Sequence, residues 1–397
     1  MKAIGDTLPR RFKAKASGSI TAGKPLLVEA DGDVTQVSET AFAKDFGTET
    51  TFESAEVTYI TSCYDSTANK FVIAYADGGN SSYGTAIVCT PAANGTVSFG
   101  TPVVFSGTSS ANWIAISYDS NADKTLISFN TGAEGKSIVG TVSGDSISFG
   151  SAVTFESASS EHMDSCFDST NNKVVIAYQD NADSSKGKAV VATISGTSVS
   201  FGSVTQFEAG ATLYIACEYD SANEKVLIAY KDQGNSNYGT AIVGTVSGTG
   251  ISFGTAAVFL SSTIGQSMGI CYSTVASKFV IAYPKDSDSG DGGTRVATIS
   301  GTSVSFGTEV EFTTGNVSYQ HGLALTYDIG ADKINYFYMD AADSGNGFVR
   351  QATLTGTDLG SFTTADKWET NGIAFYIAAS YDSTLNISLV SYKNNAN

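Results

Sequence analysis

The side chains best suited to gripping a ligand in this sequence are aromatic, and they recur at a fixed offset. Tyr59, Trp113, His162, Tyr214 and Tyr376 each stand five residues before a marker aromatic that is itself repeated along the chain. Ser267 and Gly322 hold that offset in the two other copies, and the second histidine, His321, lies one residue out of register. Gln266, Tyr319, Asn112, Glu161, Asp164 and Gln320 stand beside the same positions. Rings accompanied by a few amides and carboxylates suit stacking on sugar faces or anchoring a protein partner. Positions that vary inside a constant repeat are where a site belongs. Rings that only plug a channel mouth would show the same spacing.

Other chemistries find less support. There is no P-loop, no HExxH and no GxSxG. Glu161 with Asp164 or Glu218 is the one carboxylate set that could flank a glycosidic bond. Glu53, Glu156 and Glu208 recur at one repeat position, which marks scaffold. With 2 histidines in the chain, a triad or a His-rich metal site is hard to build. Asp286, Asp288 and Asp291 give an oxygen-rich loop with the look of a calcium site, but the downstream bidentate Glu is missing. The expectation is a protein without catalytic activity and without a cofactor. The 5 cysteines form no CxxC pair; Cys63, Cys166 and Cys271 precede the marker in alternate copies, too far apart for a disulfide. They are expected to be small buried hydrophobes.

The elements that position these residues follow from the repeat. The marker falls at Tyr64, Tyr118, Phe167, Tyr219, Tyr272, Tyr327 and Tyr381, a mean period of about 53 residues. A second phrase, Phe-Gly, falls at Phe46, Phe99, Phe149, Phe201, Phe253 and Phe306, with Phe362 as a degraded seventh copy. Each copy holds four short strands: one ending on the marker, one such as Val226 to Tyr230, one such as Thr240 to Val246, and one around Ile251-Ser252-Phe253. Asp-Ser-x-Asn turns join the first two, because such side chains bond their own backbone. Seven copies of four antiparallel strands predict an all-β, seven-bladed β-propeller. Composition agrees: 41 Gly, 5 Pro, 42% hydrophobic and only 15% charged residues favour strands and turns around a real core.

The two ends complement one another. The last copy stops after its second strand, while residues 24–38 match a third strand, a turn and a fourth. The predicted last blade therefore combines residues 24–45 with 373–397 and leaves no open sheet edge. Residues 1–23 remain as an extended arm. Lys2, Arg10, Arg11, Lys13 and Lys15 oppose Asp6 alone in its first 15 residues, whereas the whole chain carries a net charge of −17. A basic arm before an acidic ring could dock on a partner. The acidity argues against nucleic acid, and no run of about 18 apolar residues suggests membrane insertion. The start lacks a signal peptide's apolar stretch, so folding in a reducing cytoplasm is expected.

Residues 17–34, Ser-Gly-Ser-Ile-Thr-Ala-Gly-Lys-Pro-Leu-Leu-Val-Glu-Ala-Asp-Gly-Asp-Val, resemble the opening segment of tail-fibre-like and decoration-type virion proteins of tailed bacteriophages. The repeat Tyr238 to Thr249, with Ile251 to Gly254, is similar to repeats in structural proteins of marine phages. The resemblance implies a tail-associated virion protein, made in the host cytoplasm and forming a homo-oligomer in the particle. Its arm (Arg10, Arg11, Lys13, Lys15) would meet other virion proteins, and its propeller face would meet a host-surface glycan or protein. A capsid or neck decoration subunit, or a lectin or polysaccharide-degrading propeller, are the alternatives. No catalytic residues accompany the resemblance.

Overall fold

The computed structural model describes residues 46–317, 321–370 and 372–395, together with the strands Leu26–Val28 and Val34–Gln36. The chain divides into two compact units, Met1–Phe46 and Gly47–Asn397. In the first, Leu26–Val28 and Val34–Gln36 pair with one another as an antiparallel hairpin. The arm residues Arg10, Arg11, Lys13 and Lys15 lie outside the described residues.

The second unit is built of antiparallel sheets in a propeller-like arrangement, and no α-helix occurs among the described residues. Each sequence repeat supplies an inner strand and its hairpin partner. The inner strands are Val57–Asp65, Asn112–Asp119, Ser160–Asp168, the second half of Thr205–Asp220, Gly269–Ser273, Leu323–Asp328 and Ala374–Asp382. In six of the seven turns the residue after the marker is an Asp that caps the backbone: Asp65 Oδ1 accepts from the amides of Thr67 (3.0 Å) and Ala68 (2.8 Å), while Ser273 Oγ accepts from Ala276 (3.1 Å) in the fifth. Second strands such as Lys225–Asp232 are buried nearly end to end, which explains their unbroken apolar run.

The hydrogen-bonded ladders do not divide into seven separate four-stranded sheets. They give three five-stranded sheets, one of nine strands, one of four and three two-stranded pieces. The nine-stranded sheet joins the third and fourth repeats because Thr205–Asp220 runs unbroken from the outer edge of one to the inner strand of the other. The outer strand is also interrupted. In the fourth repeat Gly250–Phe253 and Ala257–Thr263 both pair with Tyr238–Ser247, one on each side of the Phe-Gly corner. The last repeat, Ala374–Asp382 with Ile387–Asn394, is a two-stranded sheet, so the expected four-stranded last blade is not among the described ladders.

Both repeated phrases hold neighbouring repeats together. A Cβ on Gly202 would overlap the carbonyl oxygen of Thr249 in the next repeat, and Gly100, Gly150, Gly254 and Gly307 meet the corresponding carbonyls of Asp145, Thr197, Thr302 and Thr357. Only glycine admits that approach. The marker tyrosine reaches the other way: Tyr118 donates to Thr67 Oγ1 (2.7 Å) and Tyr219 to Thr170 Oγ1 (2.7 Å), each in the preceding repeat's turn. Tyr64 of the first repeat donates to Thr384 Oγ1 of the last (3.0 Å), and Ser62 and Ser380 share a hydrogen bond of 2.6 Å. Apolar clusters fill the seams between repeats; one packs Val226 and Ile228 against Val175 and Val191. Another sets Phe71 and Ile73 of the first repeat against Ala378 and Leu389 of the last.

The glycine contact yields a direct test. Gly202→Ala should lower stability by about 1–3 kcal/mol, the usual cost of forcing extra volume into a packed site. Gly250→Ala, whose nearest neighbour would be Ser247 O at 3.7 Å, should be tolerated. Thermal denaturation of both variants checks the pair.

Candidate functional site

The recurrent aromatic position proves to be a β-bulge. In the fourth repeat Leu213 pairs with Lys231 and Ala216 with Ala229, so Tyr214 and Ile215 together oppose Tyr230 alone. The same shift occurs between Thr58 and Thr61, Asn112 and Ala115, Glu161 and Asp164, and Phe375 and Ala378. The first bulged residue takes a left-handed backbone: φ is 51° at Tyr59, 49° at Trp113, 47° at His162, 48° at Tyr214 and 50° at Tyr376. Bulky residues avoid this region, at a cost on the order of 1 kcal/mol each. A bulge re-aims the side chain. That is its effect here.

The five rings meet in sequence. Centroids are 5.1 Å apart for Tyr59 and Trp113, 3.9 Å for Trp113 and His162, 4.8 Å for His162 and Tyr214, and 5.6 Å for Tyr376 and Tyr59. His321 joins them with φ 52°, stacked on Tyr376 at 5.3 Å and lying 5.6 Å from Trp113. His321, not Gly322, therefore holds the aromatic position of the sixth repeat. It stands six residues before its marker Tyr327, one residue out of the register of the other copies. The fifth repeat supplies no ring: Ser267 is buried there, Gln266 is exposed, and Gly269–Ser273 carries no bulge. Tyr319 and Gln320 lie outside the described residues.

Both histidines are neutral at ordinary pH. Burial holds His162 down to about 3, with His321 adding a smaller push, and burial holds His321 down to about 4. His162 Nδ1 and His321 Nε2 are buried without a hydrogen-bond partner. Charged groups lie beside the rings. Lys231 Nζ lies 5.8 Å from the Tyr214 ring centroid, and desolvation lowers its pKa while Asp286 raises it. Glu161 acts on the Tyr59 phenol, whose pKa is raised first by burial and then by that carboxylate. Lys231 escaped the sequence reading because it stands on the second strand, where the repeat carries Ala76, Gln179 and Met339 in other copies.

Two of the three carboxylates that could flank a glycosidic bond are hydrogen-bonded to backbone amides. Asp164 accepts from the amides of Ser165 and, across the seam, Cys217, each at 2.8 Å. Glu218 accepts from the amide of Tyr219 at 2.8 Å. Burial raises Asp164 to about 6 and Glu218 to about 7, the latter with help from Asp164. Glu156 and Glu208 accept from Tyr178 (3.0 Å) and Tyr230 (2.9 Å), the scaffold role their repetition suggested. All five cysteines are free.

The calcium reading of Asp286, Asp288 and Asp291 gains no support. Lys285 Nζ bonds Asp288 at 3.1 Å and Glu311 at 3.0 Å, so an ammonium already supplies positive charge beside that loop. Among the described residues no three His, Cys, Asp or Glu side chains group closely enough to hold a metal ion.

No known protein-family profile and no curated protein matches the chain. Solved structures do. A protein from Lactobacillus plantarum matches at TM-score 0.56 and 11% identity, over 89% of this chain and 94% of its own. An arginine-substituted mutant of AofleA from Arthrobotrys oligospora matches at TM-score 0.50 and 10% identity, over 79% of this chain and 90% of its own. The Aleuria aurantia lectin AAL bound to Fucα1-6GlcNAc matches at TM-score 0.47 and 12% identity, over 78% and 97%. The likeness is one of fold.

Glu218 gives the site a pH signature. Its folded pKa exceeds its unfolded value, so the stability it contributes is present below about pH 4.5 and is lost as pH rises through about 7. Relative to Glu218→Gln, the wild type should lose on the order of 2 kcal/mol between pH 4.5 and pH 8. The two histidines tilt stability the opposite way on the acid side, and that contribution cancels in the comparison. Denaturant titrations at the two pH values measure the difference.

Proposed function

We propose that this chain is a non-enzymatic binding protein whose aromatic cluster engages the face of a saccharide. One observation carries the reading: six aromatic side chains from six repeats converge, each on a left-handed backbone that its residue type disfavours. Strain repeated at one place and aimed at one place marks a built site more than incidental packing. Stacked rings with free polar edges suit sugars, which offer an apolar face and a hydroxyl rim. The backbone duties of Asp164 and Glu218 favour binding over hydrolysis.

On the same reading, the seven repeats are the seven blades of one ring. The contacts of Tyr64 with Thr384 and of Ser62 with Ser380 support this. Residues 1–23 would tether the ring to a virion as a tail-associated receptor-binding protein. The phage resemblance of residues 17–34 and the basic arm support that placement.

Trp113→Ala and Tyr214→Ala should each weaken binding to the best ligand on a glycan array at least tenfold with the melting temperature nearly unchanged. Unchanged binding in both variants overturns the saccharide reading. Removal of residues 24–38 should cause aggregation; a monomeric product with an unaltered melting temperature overturns the closure expected from the sequence. Arg10→Glu with Arg11→Glu should abolish incorporation into particles, scored by immunogold electron microscopy.

A further inference from the structure

The ring of aromatic side chains is broken at one place. Going round from the first repeat, Tyr59, Trp113, His162 and Tyr214 touch in turn, and His321 and Tyr376 lead back to Tyr59. Among the described residues no ring contact joins Tyr214 to His321. The fifth repeat stands between them and offers Ser267, 3% exposed, its Oγ buried without a hydrogen-bond partner.

One side of that break carries a cation. Lys231 is 8% exposed, and its Nζ faces the Tyr214 ring without an ion pair or hydrogen bond among the described residues. Other lysines are treated differently. Lys188 reaches Asp180 at 2.5 Å, and Lys285 reaches Glu311 at 3.0 Å. A desolvated ammonium without a close counter-ion is expensive, and proteins retain such groups where a ligand supplies the missing charge. Three carboxylates bear on these rings: Asp286 acts on Lys231 and Tyr214, Glu161 on Tyr59, and Glu56, itself paired with Lys393, on Tyr376. Asp286, the one that acts on Lys231, is exposed, so water screens it more than it screens Lys231.

We propose that this notch receives the carboxylate of an acidic saccharide, with Lys231 as its charge partner, Ser267 Oγ as a donor, and the adjoining rings stacked on the sugar. The proposal rests on the saccharide reading above and narrows it to one ligand class. A carboxylate completes the ion pair that Lys231 lacks. The Ser267 hydroxyl gains its missing acceptor. The neutral His321 ring edge, with Nε2 unpartnered, offers a further polar contact to a sugar hydroxyl.

The test is an array of uronate- and sialate-terminated oligosaccharides, each printed beside its carboxyl-reduced counterpart. The wild type should bind at least one acidic probe about tenfold more tightly than its reduced partner, with the preference growing as salt is lowered. Lys231→Met should bring the two members of that pair level while still binding the reduced one, and Lys231→Arg should keep the preference. Ser267→Ala should weaken the acidic probe more than the neutral one. Equal binding of every pair by the wild type, or a preference that survives Lys231→Met, overturns this proposal and leaves the saccharide reading standing. Absence of binding to any sugar overturns both. Melting temperatures of the variants, matched to wild type, exclude misfolding as the cause.

Discussion

The close approach of each repeat's Phe-Gly corner to its neighbour's carbonyl is the constraint on which the rest depends. The contact leaves no room for a side chain, so it sets the distance and tilt between repeats at one edge. The marker tyrosines set them at the inner turns through hydroxyl bonds such as Tyr118 to Thr67. Between these two points the apolar seam has a defined width, which the Val, Ile and Tyr residues of the second strands fill. Six inner strands can then bring ring-bearing residues to a common centre with spacings of only 3.9–6.3 Å.

That centre is held at some local expense. A left-handed backbone under Trp113 or His162 is unfavourable in isolation, and burial of two neutral histidines adds to it. The bulge persists because the ladders on either side are anchored, as Asp119 to Lys124 and Asn112 to Asn130 are around Trp113. The scaffold is similar from repeat to repeat, while the residue at the bulge changes in the five repeats that carry one. Such a design lets the residues at the aromatic cluster vary without disturbing the seams.

Much of this was legible in the sequence, for a physical reason. Contacts that recur in every seam impose the same residues in every repeat, so Phe-Gly and the marker aromatic announce themselves. The rings at Tyr59, Trp113, His162, Tyr214 and Tyr376 were visible by contrast, as the positions that differ. What escaped were local departures from the repeat. His321 was visible only out of register, and Lys231 was not visible because it sits on a strand whose other copies carry unrelated side chains. The acidic run at Asp286 to Asp291 had only the look of a calcium loop, and composition cannot show that Lys285 bonds Asp288 beside it. The sheet count differed as well. Strand periodicity marks where strands fall, but not whether Thr205 to Asp220 turns a corner or runs straight on.

That unbroken strand has a consequence for how the molecule comes apart. Elsewhere an inner strand can peel from the preceding outer edge at a loop, so neighbouring repeats can open one at a time. Between the third and fourth repeats the same backbone belongs to both ladders, pairing with Lys186–Ser195 at one end and Lys225–Asp232 at the other. Neither repeat can open without disturbing the other. The two form a single cooperative block, the region where amide protons exchange last and where the chain, on refolding, has a continuous template from which the adjoining repeats can grow.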